Sequence, residues 1–243
     1  SVYLLNDLLD LPSDRAHPRK RRRPFAAGDI PLLHGLWLMP ALLAAGLAVA
    51  ASLPKMFIVS LVAYLAITLA YSFHLKTYVL IDVMILAGLY TLRVISGAFT
   101  INTVPTFWLL AFSMCIFLSL SLVKRCSELI SLARIERPSA SGRDYNASDL
   151  AYLASMGTAS GYLSVLVLAL FINSPDVAVR YAHLEILWLL CPLVLYWVSR
   201  LWLKTGRGEM DDDPIVFTLK DRGSRFIIVA SIVVVVAARR SLF

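Results

Sequence analysis

The stretch Phe107–Val123 reads FWLLAFSMCIFLSLSLV, and Lys124 and Arg125 follow it directly. No Asp, Glu, Lys or Arg interrupts the stretch. A helix that spans a bilayer needs about 20 largely apolar residues, with a range of ~17–25. The stretch therefore predicts a membrane-spanning helix that ends in charged residues at a membrane surface.

Six further apolar runs have the same character, although the last reaches a spanning length only with its flanks. They are Leu32–Leu53, Met56–Phe73, Val79–Phe99, Leu150–Ile172, His183–Leu203 and Phe226–Ala238. The 243-residue chain is 59% apolar and 16% charged, whereas soluble domains are about 45–50% apolar and about 25% charged. These runs predict an all-α fold, a polytopic transmembrane helical bundle.

Lys and Arg are distributed unequally between the connections. If the chain crosses at each apolar run, the connections within 7–29, 74–78, 124–149 and 204–225 share one side and hold most of the 23 Lys and Arg residues. The opposite connections hold four, namely Lys55, Arg180, Arg239 and Arg240. The positive-inside rule makes the charged side cytoplasmic, which predicts a multi-pass protein of the cell inner (plasma) membrane. Basic residues spread over several such loops disfavour nucleic-acid binding.

The chain begins SVYLL, without an initiator methionine or a signal peptide. This beginning resembles the end of an apolar helix that is already under way. We therefore expect the chain to be part of a longer protein and to lack at least one N-terminal span.

Three aspartates lie just before a basic cluster. Asp7, Asp10 and Asp14 have the spacing i, i+3, i+7, which places them on one face of a helix. Carboxylates at this spacing repel one another, and a shared hard cation such as Mg²⁺ would remove the repulsion. Pro12 disfavours a regular helix just before it, so a turn is the alternative position for Asp14. The alternative for Arg19–Arg23 is a solvated stop-transfer cluster.

Two more polar sets lie on the predicted cytoplasmic side. Lys124–Glu128 reads KRCSE, with Asp144 and Asp149 further along the same connection. Arg207–Arg225 reads RGEMDDDPIVFTLKDRGSR and contains the run Asp211–Asp213. Lys and Arg suit phosphate as a point charge and a planar fork. Together with the aspartates, these sets predict a site for a phosphorylated substrate and its metal.

Arg93 lies well inside an apolar run. An ionisable side chain at membrane depth usually faces a polar interior or a functional cavity, so we predict that Arg93 binds substrate; structural pairing with a carboxylate is the alternative. Tyr71, Ser72 and Lys76 lie at the cytoplasmic end of the preceding run, where they are expected to reach the mouth of the same cavity.

Two motifs in these segments resemble those of UbiA-type membrane prenyltransferases. The first is NDxxDxxxDxxHPxKxxRPxAxG from Asn6 to Gly28, and the second is YSxxLK from Tyr71 to Lys76, followed by LRxxxGA around Arg93. The resemblance covers essentially the whole chain. It implies one transmembrane transferase domain over 1–243, truncated at its N-terminus, in a nine-helix fold with a central cavity. There, aspartate-held Mg²⁺ would bind the phosphates of a donor.

One segment departs from the usual family pattern. Typical members carry a second aspartate-rich motif where this chain has Lys124, Arg125 and Glu128. KRxxEL at that place is similar to the branch of decaprenyl-phosphate phosphoribosyltransferases, which transfer from phosphoribosyl diphosphate to a polyprenyl monophosphate. The segment DDDPIVFTLKD is similar to a loop of bacterial members that are often fused to a soluble domain, so such an N-terminal fusion is expected.

The resemblance assigns roles to the candidate residues. Asp7, Asp10 and Asp14 would be catalytic and hold Mg²⁺ and the donor diphosphate, with Asn6 as an orienting group. Glu128 would bond the ribose hydroxyls. The remaining phosphates would be bound by Lys20, Arg23, Lys124 and Arg125, and Lys76 would assist.

Two other functions compete with phosphoribosyl transfer. Prenyl transfer from a polyprenyl diphosphate to an aromatic or other acceptor would use the same first motif, and Asp144 and Asp149 would then stand in for the missing acidic cluster. A transporter would need charged groups along a path through the bilayer. Because the acidic residues gather on one predicted side, we favour a transferase.

Overall fold

The computed structural model describes residues 1–16, 20–133, 144–175, 177, 181, 183–210 and 213–239, with residues 13, 16 and 20 described by their backbone alone. Nearly all of these residues are helical. This part of the chain contains no β-strand, and an isolated bridge pairs Tyr181 with Arg239. The all-α prediction is confirmed.

Twelve α-helices are described. Their bounds are α1 Val2–Leu9, α2 Leu11–Ala16, α3 Pro24–Ala27, α4 Leu32–Ala50, α5 Lys55–Phe73, α6 Ile81–Thr100, α7 Phe107–Ala133, α8 Leu150–Ile172, α9 Leu184–Leu187, α10 Leu190–Gly206, α11 Pro214–Lys220 and α12 Arg222–Ala238. Short 3₁₀ turns occupy Lys20–Arg22, Leu75–Thr77 and Ala147–Asp149.

Six segments among the described residues are long and apolar enough to cross a membrane. They are α4, α5, α6, α7, Ala147–Ile172 and Leu184–Gly206. The seventh predicted span lies in α12, which has 17 residues and a length of only about 25 Å at 1.5 Å per residue. A typical hydrocarbon core is about 30 Å thick. The chain is thus a multi-pass membrane protein, with six of its seven predicted spans confirmed by length and composition.

The described helices divide into two compact units. The first comprises the described residues of Ser1–Ile85, Leu92–Pro105 and Ser141–Asp144. In it α1 packs against α2, α3, α4 and α5. α3 begins at Pro24, where its fixed φ suits a first helical turn, and ends at Gly28, whose φ of +86° is left-handed. The Pro and Gly of the first motif therefore shape the chain between the aspartates and α4.

The second unit comprises the described residues of Leu86–Thr91, Thr106–Ala140 and Tyr145–Phe243. Its centre is the packing of α7 against α8, with α10 contacting both. Ser119 of α7 donates to the carbonyl of Gly157 at 2.7 Å and accepts from Nε1 of Trp202 at 3.0 Å. One hydroxyl thus connects three helices.

Gly157 allows this close approach because it has no Cβ. A Cβ at this position would lie 2.1 Å from Cζ2 of Trp202 and 3.0 Å from Cβ of Leu122. The Trp202 ring is held by its hydrogen bond to Ser119, so it cannot move away without breaking that bond. Residue 157 of α8 therefore has to be glycine for α7, α8 and α10 to pack as they do.

We expect Gly157→Ala to lower the free energy of unfolding by about 1–3 kcal/mol, the usual cost of overpacking. Melting in detergent, followed by size-exclusion chromatography of heated samples, measures the effect. Gly88→Ala in α6 is the control, because no heavy atom of the described residues lies within 4 Å of the added Cβ. The control should be neutral or gain up to about 1 kcal/mol; equal melting temperatures for the two variants would contradict this packing analysis.

Candidate functional site

The three aspartates of the first motif lie on a short stretch of nearly continuous helix. Asp10 stands between α1 and α2; its amide donates to the carbonyl of Asn6, and the amide of Asp14 donates to the carbonyl of Asp10, both at 2.8 Å. Pro12 lies in the first turn of α2, where its missing N–H costs little. Asp14 therefore belongs to a helix, and the alternative of a turn is wrong.

Two of the aspartates share one cation. Nη1 of Arg23 donates to Oδ1 of Asp7 at 2.8 Å and to Oδ2 of Asp14 at 2.9 Å. Asp14 is buried, whereas the side chain of Arg23 is 41% exposed. A guanidinium reaching in from the basic cluster thus bridges a buried carboxylate and a half-buried one.

The third aspartate pairs with a cation from a distant part of the sequence. Nζ of Lys76 donates to Oδ1 of Asp10 at 2.5 Å, and Lys76 lies in the 3₁₀ turn that follows α5. Near the end of α5, the hydroxyl of Ser72 donates to Oδ1 of Asn6 at 2.6 Å. Tyr71 lies beside Ser72 and is buried. The structure thus brings the first two motifs together within one unit.

The surroundings of Asp7 change the pKa of its carboxyl. Burial raises the pKa of this carboxyl, the charge of Arg23 lowers it, and the neighbouring charges of Asp14 and Asp10 raise it again. The net effect is a raised pKa. The ionised cluster is therefore incompletely balanced by its own cations and favours the approach of a further positive charge.

The donor set suits a hard divalent cation. Carboxylate and amide oxygens are the ligands of such ions, and Asp7, Asp10 and Asn6 supply them. In this structure Nη1 of Arg23 occupies the position that a shared cation would take between Asp7 and Asp14. Among the described residues no three acidic, His or Cys side chains converge on one point, so a metal would require Arg23 to give way.

Arg93 is also in the first unit, in the middle of α6. It donates to the hydroxyl of Tyr64, and its guanidinium lies 5.2 Å from the centroid of that ring. A tyrosine on α5 therefore supplies both a hydrogen bond and a cation–π contact. Its role in substrate binding stays a prediction.

The KRCSE residues lie in the second unit, on the C-terminal part of α7. Arg125 is fully buried, forms an ion pair with Glu128 and lies 5.3 Å from the ring centroid of Tyr145. Its guanidinium therefore fixes the Glu128 carboxylate from within. Lys124 instead lines a recess of this unit. The side chain of Lys20, the remaining candidate, lies outside the described residues.

Two aspartates of the last polar set have structural roles that the sequence analysis did not assign. Asp213 caps α11 by accepting from the amides of Ile215 and Val216. Asp221 caps α12 by accepting from the amide of Ser224 at 2.8 Å. An Asp directly before Pro214 is the sequence signal for the first cap. Asp211 and Asp212 lie outside the described residues.

Asp221 also joins the caps to α10. Its carboxylate accepts from Nε and Nη2 of Arg200, at 3.3 and 3.0 Å, and lies 3.7 Å from Nζ of Lys204. Burial raises the pKa of Asp221, but hydrogen bonds from Arg200 and Ser224 outweigh burial, so the pKa is lowered. The charged form of this aspartate is thus held by fixed partners.

The sequence matches the UbiA prenyltransferase family over residues 1–235. The chain belongs to that family. Members of this family are membrane-embedded transferases that act on prenyl substrates and generally depend on a divalent metal. The match leaves the donor and acceptor of this chain open.

Individual relatives narrow the comparison. An uncharacterized protein of Sinorhizobium fredii, y4nM, is 38% identical over 93% of this chain and 44% of its own length. The nodulation protein NoeC of Azorhizobium caulinodans is 34% identical over 92% of this chain and 73% of its own length. Decaprenyl-phosphate phosphoribosyltransferase of Mycolicibacterium smegmatis is 34% identical over 53% of this chain and 41% of its own length. The chain thus spans less than half of the first and third relatives.

We expect Asp221→Asn to lower the melting temperature in detergent by several degrees at neutral pH. Asn keeps the helix cap but loses hydrogen bonds to a charged partner, worth about 1.5–3 kcal/mol. Because the folded-state pKa is lowered, the wild-type advantage is present above the ordinary value of 3.8 and is lost as the pH falls below it.

Asp213→Asn is the matched control for this prediction, since it also keeps a cap and changes a charge in the same segment. Its melting temperature should remain close to that of the wild type. A difference between wild type and Asp221→Asn that persists unchanged well below pH 3.8 would contradict the electrostatic explanation.

Proposed function

We propose that this protein transfers the phosphoribosyl group from phosphoribosyl diphosphate to a polyprenyl phosphate at the cytoplasmic side of the plasma membrane, to supply a precursor for cell-envelope glycans. The observation that carries this proposal is on α7, where Lys124 and the Arg125–Glu128 pair stand at the place of a second aspartate-rich motif. The partial similarity to phosphoribosyltransferases supports it. So does the first motif, which can serve any diphosphate donor.

The residues of the first unit would bind the donor. Asp7, Asp10 and Asp14 would hold Mg²⁺, which neutralises charge on the departing diphosphate when bound. Arg23 and Lys76, whose cationic groups contact these carboxylates in the structure, would turn to the diphosphate oxygens. Ser72 fixes the amide of Asn6, so that Asn6 would orient a ligand of the cluster.

The reaction exchanges one bond at the anomeric carbon of the ribose. The C1–O bond to diphosphate breaks, its electron pair leaves with the diphosphate, and an acceptor phosphate oxygen forms the new C1–O bond. The acceptor is already anionic at neutral pH, so it needs no general base. Cations at the diphosphate are then the main contribution of the protein, because they stabilise the charge that develops on the leaving group.

The KRCSE residues of α7 would recognise the ribose and the acceptor. Glu128 would accept hydrogen bonds from ribose hydroxyls. Buried Arg125 would act through Glu128 as a positioning residue. Lys124 would supply the positive charge that attracts the acceptor phosphate.

Prenyl transfer from a polyprenyl diphosphate is the second candidate, because the family match itself favours it. In that reaction the first motif would bind the diphosphate of an allylic donor, and an aromatic or other acceptor would take the prenyl group. The two reactions differ in which molecule carries the diphosphate. A transfer assay with either donor therefore separates them.

We expect full-length protein in detergent with Mg²⁺ to move label from radiolabelled phosphoribosyl diphosphate onto decaprenyl phosphate. The product is measured by extraction into organic solvent, and EDTA should abolish the transfer. Release of diphosphate from decaprenyl diphosphate, with no phosphoribosyl transfer, would instead establish the ordinary prenyltransferase reaction.

Asp7→Asn should reduce turnover about 100-fold or more, the loss typical for removal of one electrostatic contact to a developing charge. Asp29→Asn is the matched control, because Asp29 is exposed and lies in the same N-terminal region. Both variants should elute as folded protein on size-exclusion chromatography. Wild-type turnover in Asp7→Asn would remove the aspartate cluster from the mechanism.

A further inference from the structure

The second unit contains a recess that the mechanism above uses only through Lys124. It has a volume of about 320 Å³, including its open mouth. Its walls come from α6, from α7 and from the beginning of α11, and they include Tyr90, Phe117, Ser121, Pro214 and Ile215. Ligand sites are typically mostly apolar clefts with a few placed polar groups, and the lining of this recess has that composition.

The hydroxyl of Ser121 is the unusual group in this recess. Ser121 is 3% exposed, and its Oγ has no hydrogen-bond partner among the described residues. A buried polar group without a partner costs about 1–3 kcal/mol. Ser119, two residues earlier on the same helix, has two partners for its hydroxyl. No group of the described residues bonds the hydroxyl of Ser121, so this hydroxyl can bond a ligand in the recess.

Polar and apolar side chains line different parts of the recess. Ser121 and Lys124 are three residues apart on α7 and therefore lie on one face of the helix. The rest of the wall is apolar: Tyr90 stacks on Phe117, with ring centroids 5.3 Å apart, and Pro214 and Ile215 line the α11 side. A hydroxyl donor next to an ammonium group, continuous with an apolar wall, matches an anionic head on a hydrocarbon chain.

We propose that this recess binds the phosphate and the first isoprene unit of a polyprenyl monophosphate. Ser121 donates a hydrogen bond to a phosphate oxygen, Lys124 pairs with the phosphate charge, and Tyr90, Phe117 and Ile215 contact the hydrocarbon. This inference takes its ligand from the proposed function and names the residues that select it.

The cap on α11 gives the last acidic segment a place in this inference. Oδ1 of Asp213 accepts from the amide of Ile215 at 2.8 Å and so fixes the beginning of α11. Pro214 and Ile215, the first two residues of α11, are the ones that line the recess. Asp213 is thus a positioning residue for one wall of the recess.

Ser121→Ala tests the polar end. We expect the affinity of detergent-solubilised full-length protein for radiolabelled decaprenyl phosphate to fall about tenfold, which corresponds to about 1.4 kcal/mol. The melting temperature should stay level or rise, because the variant removes an unpartnered buried hydroxyl. Ser119→Ala is the control with the opposite pattern: it breaks two hydrogen bonds, so it should lower the melting temperature and leave the affinity unchanged.

Ile215→Trp tests the apolar wall, because the larger side chain would fill the recess. Val216→Trp is its matched control: Val216 is the next residue, it is 42% exposed against 40% for Ile215, and it does not line the recess. We expect at least a tenfold loss of affinity for decaprenyl phosphate in Ile215→Trp and wild-type affinity in Val216→Trp.

Three outcomes would overturn the inference. One is wild-type affinity in both Ser121→Ala and Ile215→Trp. Another is a loss of melting temperature without a loss of affinity in Ser121→Ala. The third is displacement of decaprenyl phosphate by equal concentrations of phosphatidylglycerol, which would make the recess a general phospholipid site.

The transfer assay separates this inference from the proposed function. If the wild type transfers phosphoribose while the recess variants bind decaprenyl phosphate normally, only the assignment of the recess is wrong. If the variants lose affinity as expected but the wild type transfers no phosphoribose, the recess binds a lipid phosphate and the proposed reaction is wrong.

Discussion

The first unit depends on one electrostatic constraint: three carboxylates share a helical face, and one of them, Asp14, is buried. Arg23 bridges Asp7 and Asp14, and Lys76 pairs with Asp10. Loss of Arg23 would leave the buried charge of Asp14 without this partner, which is strongly unfavourable. The pairing therefore fixes the turn after α5 and the basic segment before α3 against α1 and α2. The charged residues of the first motif therefore also stabilise the packing of the segments around it.

In the proposed reaction, the same pairing would allow a substrate with many negative charges to enter an acidic site. Three unpaired carboxylates would repel phosphates. If a metal ion replaced Arg23 and Lys76 at the aspartates, these two cations could bind the phosphates instead. Arg23 is half-exposed and Asp14 is buried, so such an exchange would displace Arg23 rather than Asp14. Metal and diphosphate would then favour each other's binding. The metal would bind the aspartates that Arg23 and Lys76 leave, and the diphosphate would bind Arg23 and Lys76.

Much of this arrangement follows from the sequence, because apolar runs and a dense motif are local signals. The spans, the single helical face of the aspartates and the proximity of the first two motifs belong to that part. The identity of the ion-pair partners does not follow from the sequence. Lys76 and Asp10 are far apart in the chain, and their pairing depends on how α1 packs on α5. Packing also buries Arg125 behind Glu128. It leaves the hydroxyl of Ser121 without a hydrogen-bond partner among the described residues. No short sequence pattern encodes either result.

Asp221 and Asp7 differ in how their surroundings change the pKa of the carboxyl. The carboxylate of Asp221 has its pKa lowered by Arg200 and Ser224, so its charge is already satisfied by the fold and it serves as a structural junction. Burial and its acidic neighbours raise the pKa of Asp7 even though Arg23 is in contact. Burial thus makes the charge of Asp7 more costly than in water, and a bound divalent ion would offset part of that cost. In the sequence, Asp221 and Asp7 are both acidic residues near basic ones. The number of hydrogen-bond donors held around each carboxylate in the structure shows which of the two still needs a cation.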